Sequence, residues 1–594
     1  MSRKYFFPIF LFCGASVIYC LPVLRNIIFW GQMDWDQFTF WNAVPRDTIL
    51  RYHQFPLWNP YVNGGNVLLA HPHSMFLSPF YIFVLIFGPV LGLKIQIVIH
   101  LMIGLLGMYL LAKYLKLSPH ASYLASFVFM LNSHYALHLT EGHTEWLVMA
   151  FIPWIFMYLL KGLEEPRQAF KAIIFLALIL LNGSPHIFAV IVIFLVVYAL
   201  GKACQFRKTT PLKILGLIFL GTFSLCAIKL FPMIEFLWHY PRLANDSSGT
   251  APAILLKMFL GRDQVALDFL SWSECRKMGL SYEWHEYGAY VGIIPLGLLL
   301  VGAVYQFRNQ WPLIITCLIS LLIALGSASP VNYWEILRRL PVLDSVSAPS
   351  RFILGFLFLG AVLSGYGLDL MEKYMSGLKG GKWKNGAKFL SIIIIVFVVF
   401  DLWQVNSPIF KNAFRISPLK ISRHDRFAQR YEYINFHEEN KFVNFIGEET
   451  SHSSQYPIFL SNSGILESYE VVQIKQGDVR ISSDPGYRGE VYLADSNQEV
   501  FIKSFSPNRI VVDFTAEDAD TLVVNQNYYT GWKVKKGLIT VPAVPYKGLI
   551  ATPVLPGHHN IIFYYMPLSF LMGFFATAGF ILFVILLYKD GFGN

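Results

Sequence analysis

Charged side chains are scarce in this sequence. Lys, Arg, Asp and Glu make up only 14% of the 594 residues, whereas 55% are hydrophobic and the mean hydropathy is +0.49. A chain with so little charge and so much apolar surface is typical of a protein that crosses a bilayer several times. The composition therefore predicts a polytopic membrane protein.

Cysteine is also rare, with six residues in the whole chain. Four of them fall in long apolar runs and one on the predicted cytoplasmic side, so that only Cys275 is predicted to lie outside. A lone outer cysteine cannot form an internal bridge, which excludes a disulfide framework for the exterior parts.

Several common functional signatures are absent as well. The sequence contains no Gly-rich phosphate loop, no nucleophile elbow and no HExxH motif. The net charge is +10, but much of the basic charge lies beside predicted helix ends, where it faces anionic lipid headgroups. No basic stripe interleaved with stacking aromatics is present, so nucleic acid is not an expected partner.

What the chain has instead is about a dozen apolar runs, each near or somewhat below the ~20 residues that cross a bilayer. The runs are 5–24, 94–115, 119–139, 146–160, 168–182, 185–201, 211–231, 287–306, 311–326, 351–371, 388–405 and 567–588. The short loops rich in Lys and Arg all fall on one side if the N-terminus, with Arg3 and Lys4, is cytoplasmic. This requires segment 76–91, which Gly88-Pro89 interrupts, to be re-entrant or surface-lying. The pattern predicts about twelve transmembrane helices with both ends cytoplasmic.

Three parts follow from this pattern: a helical membrane body over 1–405, a polar module over 406–565, and a last helix with a short tail over 566–594. The module contains short strand-like segments separated by turn formers, which favours a β-sandwich. The strand-like segments are 509–514, 520–525, 532–534 and 560–565. Because the module follows an outward-going run, it is expected to be extracytoplasmic.

The first outer loop, 25–75, holds the main candidate site residues. It opens with Asp34 and Asp36, two carboxylates that are costly to desolvate at a membrane interface. One of them could act as a general base or as a metal ligand. The alternatives are solvated loop acids or caps for a following helix. Further along the loop, His71 and His73 are candidates for a substrate pocket.

Several short motifs follow the acidic residue after the first run. They are Phe55-Pro-Leu-Trp-Asn-Pro60, Asn63-Gly-Gly-Asn66, Ser78-Pro-Phe80, Pro341-Val-Leu343, Ala348-Pro-Ser-Arg-Phe352 and Asn527-Tyr-Tyr-Thr-Gly-Trp532. With these motifs, the chain resembles over nearly its whole length the bacterial YfhO-type membrane proteins of the GT-C superfamily, glycosyltransferases that use polyprenyl-phosphate sugars.

The resemblance implies a GT-C-like fold that transfers a sugar from a polyprenyl-phosphate donor to a cell-envelope acceptor. The reaction is expected at the outer face of the bacterial cytoplasmic membrane, among membrane lipids. Asp36 matches the family acid and would deprotonate the acceptor, whereas Asp34 is an extra neighbour. Whether the two acids hold a divalent cation such as Mg²⁺ or Mn²⁺ is left open by the resemblance.

A donor with a negative phosphate needs a cation near the outer surface. Arg351, at the outer mouth of a run, is the first candidate, because a guanidinium fork matches phosphate geometry. Lys229 is the second candidate. The alternative for Arg351 is that its side chain snorkels to lipid headgroups.

A group of histidines and acids lies at the predicted outer ends of the third and fourth runs: His134, His138, Glu141 and His143. His134 and His138 are four residues apart and share one helical face, a spacing able to bind a metal. Such histidines also simply hydrogen-bond in polar pockets. If the group acts in the reaction, contact with donor phosphate or sugar hydroxyls is expected rather than zinc binding.

Two other functions stay open. A transporter or flippase for lipid-linked saccharides would use the acids and cations along a path, but few charged residues fall at mid-membrane depth, where such a site is expected. A non-enzymatic assembly factor would use the outer module to recruit envelope proteins. Sugar transfer by the purified protein would distinguish a glycosyltransferase from both of these alternatives.

Overall fold

The computed structural model describes residues 6–31, 33–242, 244, 248–268, 270, 272–340, 343–378, 383–432, 442–443, 449–450 and 455–590. Some residues used above lie outside these ranges. They are Arg3 and Lys4 of the N-terminus and Pro341 of the family-like motif.

Helices make up most of the first two thirds of the chain. The α-helices are Phe6–Tyr19, Leu21–Arg25, Trp35–Leu50, Ile82–Phe87, Pro89–Tyr114, Pro119–Met130, Ser133–Glu141, Ile152–Glu164, Ala169–Leu181, Pro185–Phe206, Thr210–Leu225, Ala227–His239, Pro252–Leu260, Gln264–Asp268, Trp272–Lys277, Ile293–Ala324, Tyr333–Arg338, Ile353–Gly377, Lys384–Ala413, Gln455–Leu460 and Leu568–Asp590. Shorter 3-10 helices are Pro79–Tyr81, Thr144–Phe151, Pro166–Gln168, Trp284–Glu286, Leu343–Ser345 and Pro349–Phe352.

Seven helical segments among the described residues are long and apolar enough to cross a membrane, which makes this a multi-pass membrane protein. The number becomes eight if Thr210–Leu225 and Ala227–His239, bent by 82°, form one broken span. The predicted number of twelve is not confirmed. Predicted run 119–139 is two short helices, because Asn132 caps a new helix at Ser133. Runs 287–306 and 311–326 share the element Ile293–Ala324, which is kinked at Gln310.

The predicted break in segment 76–91 is confirmed. Gly88 has φ +83°, a left-handed conformation that side chains avoid, and it separates the short helix Ile82–Phe87 from the long helix that starts at Pro89.

The described chain divides into two compact units. Unit 1 contains residues 1–32, 93–222 and 243–416, and unit 2 contains 33–92, 223–242 and 417–594. Unit 2 thus groups part of the first outer loop with the C-terminal residues, a pairing that the sequence does not predict.

In unit 1, the helices Ile293–Ala324 and Ile353–Gly377 pack closely through glycine. A Cβ on Gly302 would lie 2.0 Å from the Leu363 carbonyl oxygen, and a Cβ on Gly367 would lie 2.0 Å from that of Leu298. Ser364 adds a hydrogen bond from its hydroxyl to the Pro295 carbonyl oxygen at 2.8 Å. Small residues and buried hydroxyls are the usual means of helix packing in membranes, where apolar burial does not drive association.

The predicted boundary between body and module at 405/406 lies inside a helix, which continues to Ala413. Asn406 and Ser407 look like the start of a polar loop in the sequence, but both are buried. The Asn406 amide donates to the Leu131 carbonyl oxygen at 2.6 Å, and its oxygen accepts from the Ser133 hydroxyl at 2.6 Å. Because these polar groups are satisfied inside unit 1, the helix continues through them.

Unit 2 contains the predicted β-rich region as two antiparallel sheets. The five-stranded sheet has the order Phe501–Ser506, Arg509–Ala516, Gly557–Tyr565, Trp532–Lys536, Ile539–Pro542, and the four-stranded sheet has the order Val544–Tyr546, Leu549–Val554, Asp520–Asn527, Val491–Leu493. All four predicted strand segments lie within these strands. Apolar residues alternate along Arg509–Ala516, where Ile510, Val512 and Phe514 are buried, as a sheet with one covered face requires.

The remaining strands are short. Trp30–Gly31 pairs with Phe414–Ile416, Trp58–Asn59 with Asn66–Val67, Ala428–Tyr431 with Ser463–Ile465, and Phe442–Val443 with Glu449–Thr450.

Candidate functional site

The candidate residues fall into both units. Asp34, Asp36, His71, His73 and Lys229 belong to unit 2. Arg351 belongs to unit 1, as do His134, His138, Glu141 and His143. Each group is described separately.

In unit 2, the two acids of the first loop have different surroundings. The helix Trp35–Leu50 starts directly after Asp34, which is exposed, whereas Asp36 in the first turn is buried. The Asp36 carboxylate accepts hydrogen bonds from the backbone amides of Gln455 at 2.8 Å and Tyr456 at 3.2 Å. These amides open the helix Gln455–Leu460, so Asp36 caps a helix that lies 419 residues away in the chain.

These surroundings bear on the predicted metal. Within the described part of the chain, the groups of three or more side chains that could hold an ion include neither acid. Each oxygen of Asp36 accepts one backbone amide, and a divalent cation bound by the pair Asp34 and Asp36 stays a prediction.

His71 and His73 line a buried polar cluster of unit 2. The His71 Nδ1 accepts from the backbone amide of His73 at 3.3 Å, and its Nε2 lies 3.0 Å from a carboxylate oxygen of Glu470. Trp41 donates from its ring nitrogen to the other Glu470 oxygen at 3.0 Å, and its ring stacks on His73 with centroids 5.2 Å apart. The cluster holds the loop against the helix Trp35–Leu50.

Lys229 is buried in unit 2, and its ammonium group donates to the backbone carbonyl oxygens of Pro72 at 3.0 Å and Ser74 at 2.5 Å. A buried ammonium is stable only when its donors are satisfied. The contacts fix the segment that carries His71 and His73.

In unit 1, a turn brings two of the predicted histidines together. Asn132 caps the helix Ser133–Glu141 by accepting from the Tyr135 amide, and Gly142, with φ +105°, ends it. This reversal places the His143 ring against the His138 ring, with the two Nδ1 atoms 3.0 Å apart. Trp146 stacks on His138 with ring centroids 3.7 Å apart.

The ring of the neighbouring His134 donates a hydrogen bond from Nδ1 to the Gly288 carbonyl oxygen at 3.1 Å. Burial lowers the pKa of His134 to about 4 and lowers the pKa of His138 well below its ordinary value. Both rings are therefore neutral near pH 7, which leaves nitrogen lone pairs available as acceptors or ligands.

Arg351 stands on the 3-10 helix Pro349–Phe352, which follows Ala348 in a left-handed conformation with φ +59°. Its side chain forms an ion pair with Glu286: Nε donates to both carboxylate oxygens at 3.0 Å, and Nη2 donates to Oε1. Burial opposes ionisation of Glu286, but the Arg351 guanidinium lowers the pKa of that carboxyl to about 2. Arg351 is therefore partnered inside the protein, which differs from a side chain that snorkels to headgroups.

Several residues of this cluster were missed by the sequence reasoning. Glu286, Glu283 and His285 belong to a segment that was predicted only as part of a long outer loop. They surround the predicted residues because the turn at Gly288 packs tightly: a Cβ there would lie 2.2 Å from Leu137 and 2.7 Å from the Trp284 ring nitrogen. The signal in the sequence was the mixture of acids, histidine and aromatics in Glu283-Trp-His-Glu286, directly before a span.

A further contact joins Glu145, close to His143 in the chain, to His186 at 3.6 Å. Ser184 donates its hydroxyl to the Glu145 backbone oxygen at 2.7 Å. Unit 1 thus holds one buried set of histidines and carboxylates around Trp146, drawn from three segments of the chain.

No family model matches this sequence, and no curated protein matches it. The YfhO-type resemblance therefore stays a prediction.

Among solved structures, the chain is similar to the arabinofuranosyltransferase AftD from Mycobacteria, with 14% identity, a TM-score of 0.43, and coverage of 70% of this chain and 27% of that one. It is also similar to ArnT from Cupriavidus metallidurans bound to undecaprenyl phosphate, with 10% identity, a TM-score of 0.37, and coverage of 67% and 74%. The chain thus spans about a quarter of the length of AftD. Similarity at these scores leaves the activity to be argued from the residues of this chain.

Proposed function

We propose that the protein is a membrane glycosyltransferase. It takes a sugar from a polyprenyl-phosphate donor and transfers it to a cell-envelope acceptor at the outer face of the bacterial cytoplasmic membrane. The observation that carries the proposal is an exposed carboxylate, Asp34, at the start of a buried helix in the loop that follows the first apolar run. A membrane-embedded body gives access to a lipid-linked donor, and a carboxylate at the interface can take the proton of an acceptor hydroxyl.

Between the two acids, Asp34 is the better general base. Its side chain is exposed to solvent, where an acceptor arrives, whereas Asp36 is buried and its carboxylate caps a distant helix. The capped amides hold the first turn of the helix Trp35–Leu50, so Asp36 acts as a positioning residue for Asp34. This exchanges the roles that the family resemblance implies for the pair.

For the donor phosphate, Arg351 is favoured over Lys229. The ammonium group of Lys229 is buried and already donates to two carbonyl oxygens. The Nε and Nη2 groups of Arg351 are bound by Glu286, but its Nη1 donates to no group within the described part of the chain. Its side chain is 14% exposed, so the remaining Nη1 is the group we assign to a phosphate oxygen as the bond to the sugar breaks.

The experiment is sugar transfer by the purified protein in nanodiscs, supplied with a panel of polyprenyl-phosphate monosaccharides and an envelope glycan acceptor. Release of polyprenyl phosphate is the readout. Asp34→Asn removes the base and should lower the rate by about 10²-fold or more. The matched control is Asp518→Asn, an exposed acid in a turn between two strands, which should leave the rate unchanged.

Two results would contradict the proposal. No release of polyprenyl phosphate from any donor would exclude the reaction class. A normal rate for Asp34→Asn, at normal folding, would remove Asp34 from the role of base.

A further inference from the structure

Three histidine side chains of unit 1 meet at one point. The rings of His138, His143 and His285 each offer a nitrogen, and these nitrogens lie within 4.8 Å of one another. The ring centroid of His285 lies 5.5 Å from that of His138 and 5.0 Å from that of His143. Imidazole nitrogens gathered in this way are the ligands that Zn²⁺ and similar transition-metal ions prefer.

Carboxylates lie around the three rings. Glu141 and Glu283 each place an oxygen within 4.8 Å of a nitrogen of His285, and Glu286 lies 4.0 Å from the His285 Nε2. Glu286 neutralises the nearby guanidinium of Arg351. Glu141 and Glu283 bring two more carboxylates to His285, and a mixed set of imidazoles and carboxylates is one that divalent transition-metal ions bind.

The rings are held in place before any ion binds. The turn at Gly142 fixes His143 over His138, whose ring is stacked on Trp146 at 3.7 Å. His285 lies on the short helix Trp284–Glu286, which is anchored by the hydrogen bond from the Trp284 ring nitrogen to Gln264 at 2.8 Å. Ligands that are fixed by their surroundings bind a metal without a large ordering cost.

We propose that His138, His143 and His285 bind one divalent transition-metal ion of the Zn²⁺ class, with Glu141 or Glu283 as an oxygen ligand. Two nitrogens on a tetrahedral ion, each about 2.0–2.1 Å from it, lie about 3.3 Å apart. The Nδ1 atoms of His138 and His143 are 3.0 Å apart, so a shift of a few tenths of an ångström admits the ion.

The competing arrangement is a hydrogen bond between the two Nδ1 atoms, with one ring carrying the proton. It would satisfy those two nitrogens without an ion. The hydrogen bond needs no third imidazole, whereas the metal recruits the ring of His285. Ligation by three imidazoles is therefore the observation that separates the two arrangements.

The test uses the full-length protein, purified through a tag without histidine and stripped with a chelator. Zn²⁺ and Co²⁺ are then added and the bound metal is measured by mass spectrometry after dialysis. We expect about one ion per chain, and at least tenfold weaker binding in His143→Gln and in His285→Gln. The matched control is His120→Gln, because His120 also faces a carboxylate, Glu372, at 2.9 Å but lies outside the cluster.

A second measurement does not depend on variants that fold. X-ray absorption at the zinc edge of the wild-type protein should show three imidazole ligands at about 2.0–2.1 Å. Failure to retain stoichiometric metal, ligation by fewer than three imidazoles, or equal loss of metal in His120→Gln would overturn the proposal. None of these readouts requires glycosyl transfer, so the metal site and the proposed activity can fail separately.

Discussion

Four buried candidate residues have different kinds of partners in the two units, although unit 2 also contains the facing pair His71 and Glu470. In unit 2, Asp36 and Lys229 bind backbone groups, the former two amides and the latter two carbonyl oxygens. In unit 1, the side chains of Arg351, Glu286 and His138 face other ionisable side chains. A side chain that satisfies backbone groups supports the fold, whereas ionisable side chains that face each other can exchange protons, bind ions or hold a charged ligand.

This comparison separates residues that look alike in the sequence. Asp34 and Asp36 are two positions apart, yet Asp34 is exposed whereas Asp36 is buried and fixed by amides of a distant helix. Arg351 and Lys229 are both cations near predicted span ends, yet Arg351 pairs with a carboxylate whereas Lys229 binds two backbone carbonyl oxygens. The expected consequences differ in size and can be measured.

The largest expected effect is the loss of the buried ion pair in unit 1. Glu286→Gln leaves the Arg351 guanidinium buried without a counter-charge, which should lower the free energy of unfolding by about 3–5 kcal/mol. Thermal unfolding in detergent measures it. The double variant Glu286→Gln with Arg351→Met should recover most of the loss, because it removes both charges.

A matched control for this pair is Glu335→Gln. Glu335 is 48% exposed and lies 4.0 Å from Arg338, so its removal should cost no more than about 1 kcal/mol. Equal losses for the two glutamate variants would mean that the Arg351 pair is no more important to the fold than a surface contact.

The second expected effect concerns the two acids of unit 2. Asp36→Asn keeps one acceptor oxygen but turns an amide NH₂ toward a backbone N–H, which should lower the free energy of unfolding by about 2–3 kcal/mol. Asp34→Asn is the control and should leave stability nearly unchanged while it lowers sugar transfer. If Asp36→Asn unfolds like the wild type but loses transfer, Asp36 rather than Asp34 is the base.

The smallest expected effect is a pH dependence of stability that arises in unit 1. Burial lowers the pKa of His134 to about 4, below its ordinary value of about 6.5, so the unfolded chain takes up the proton first. Stability is complete above about pH 6.5 and is lost as the pH falls toward 4. Between about pH 7 and 5.5 the loss from this histidine should be about 1 kcal/mol.

The variant His134→Gln should flatten the curve of melting temperature against pH over that range. In protein stripped of metal, part of the slope should remain, because the pKa of His138 is lowered by burial too. A slope that is unchanged in His134→Gln would show that this ring is protonated or exposed in the folded protein.

The sequence predicts the local features of this fold well. The strand Arg509–Ala516 is visible from alternating apolar residues, and the break at Gly88-Pro89 from a glycine that precedes a proline. Both depend on residues within a few positions of each other. The cap that Asn132 provides to the helix Ser133–Glu141 is local too, but the apolar run 119–139 was predicted as one continuous span, so this new helix start was not recognised.

The contacts that decide the candidate site are distant in the chain and could not be predicted. Arg351 and Glu286 are 65 residues apart, and Asp36 and Gln455 are 419 apart. Nothing in the neighbourhood of Asp36 shows that its oxygens are occupied, since both donors are backbone amides, which every residue type except proline carries. The sequence therefore yields candidate residues, and the partners of those residues require the structure.

The 419-residue separation between Asp36 and its amide partners has a consequence for synthesis. A ribosome adds about 5–20 residues per second, so the helix Trp35–Leu50 waits on the order of 20–80 s before Gln455 is made. During that interval the Asp36 carboxylate, the Gln37 amide that later donates to Tyr469, and the Trp41 ring that later donates to Glu470 lack these acceptors and donors. Unit 2 is therefore completed late, when the last third of the chain has been translated, and residues 33–92 must wait for these partners until then.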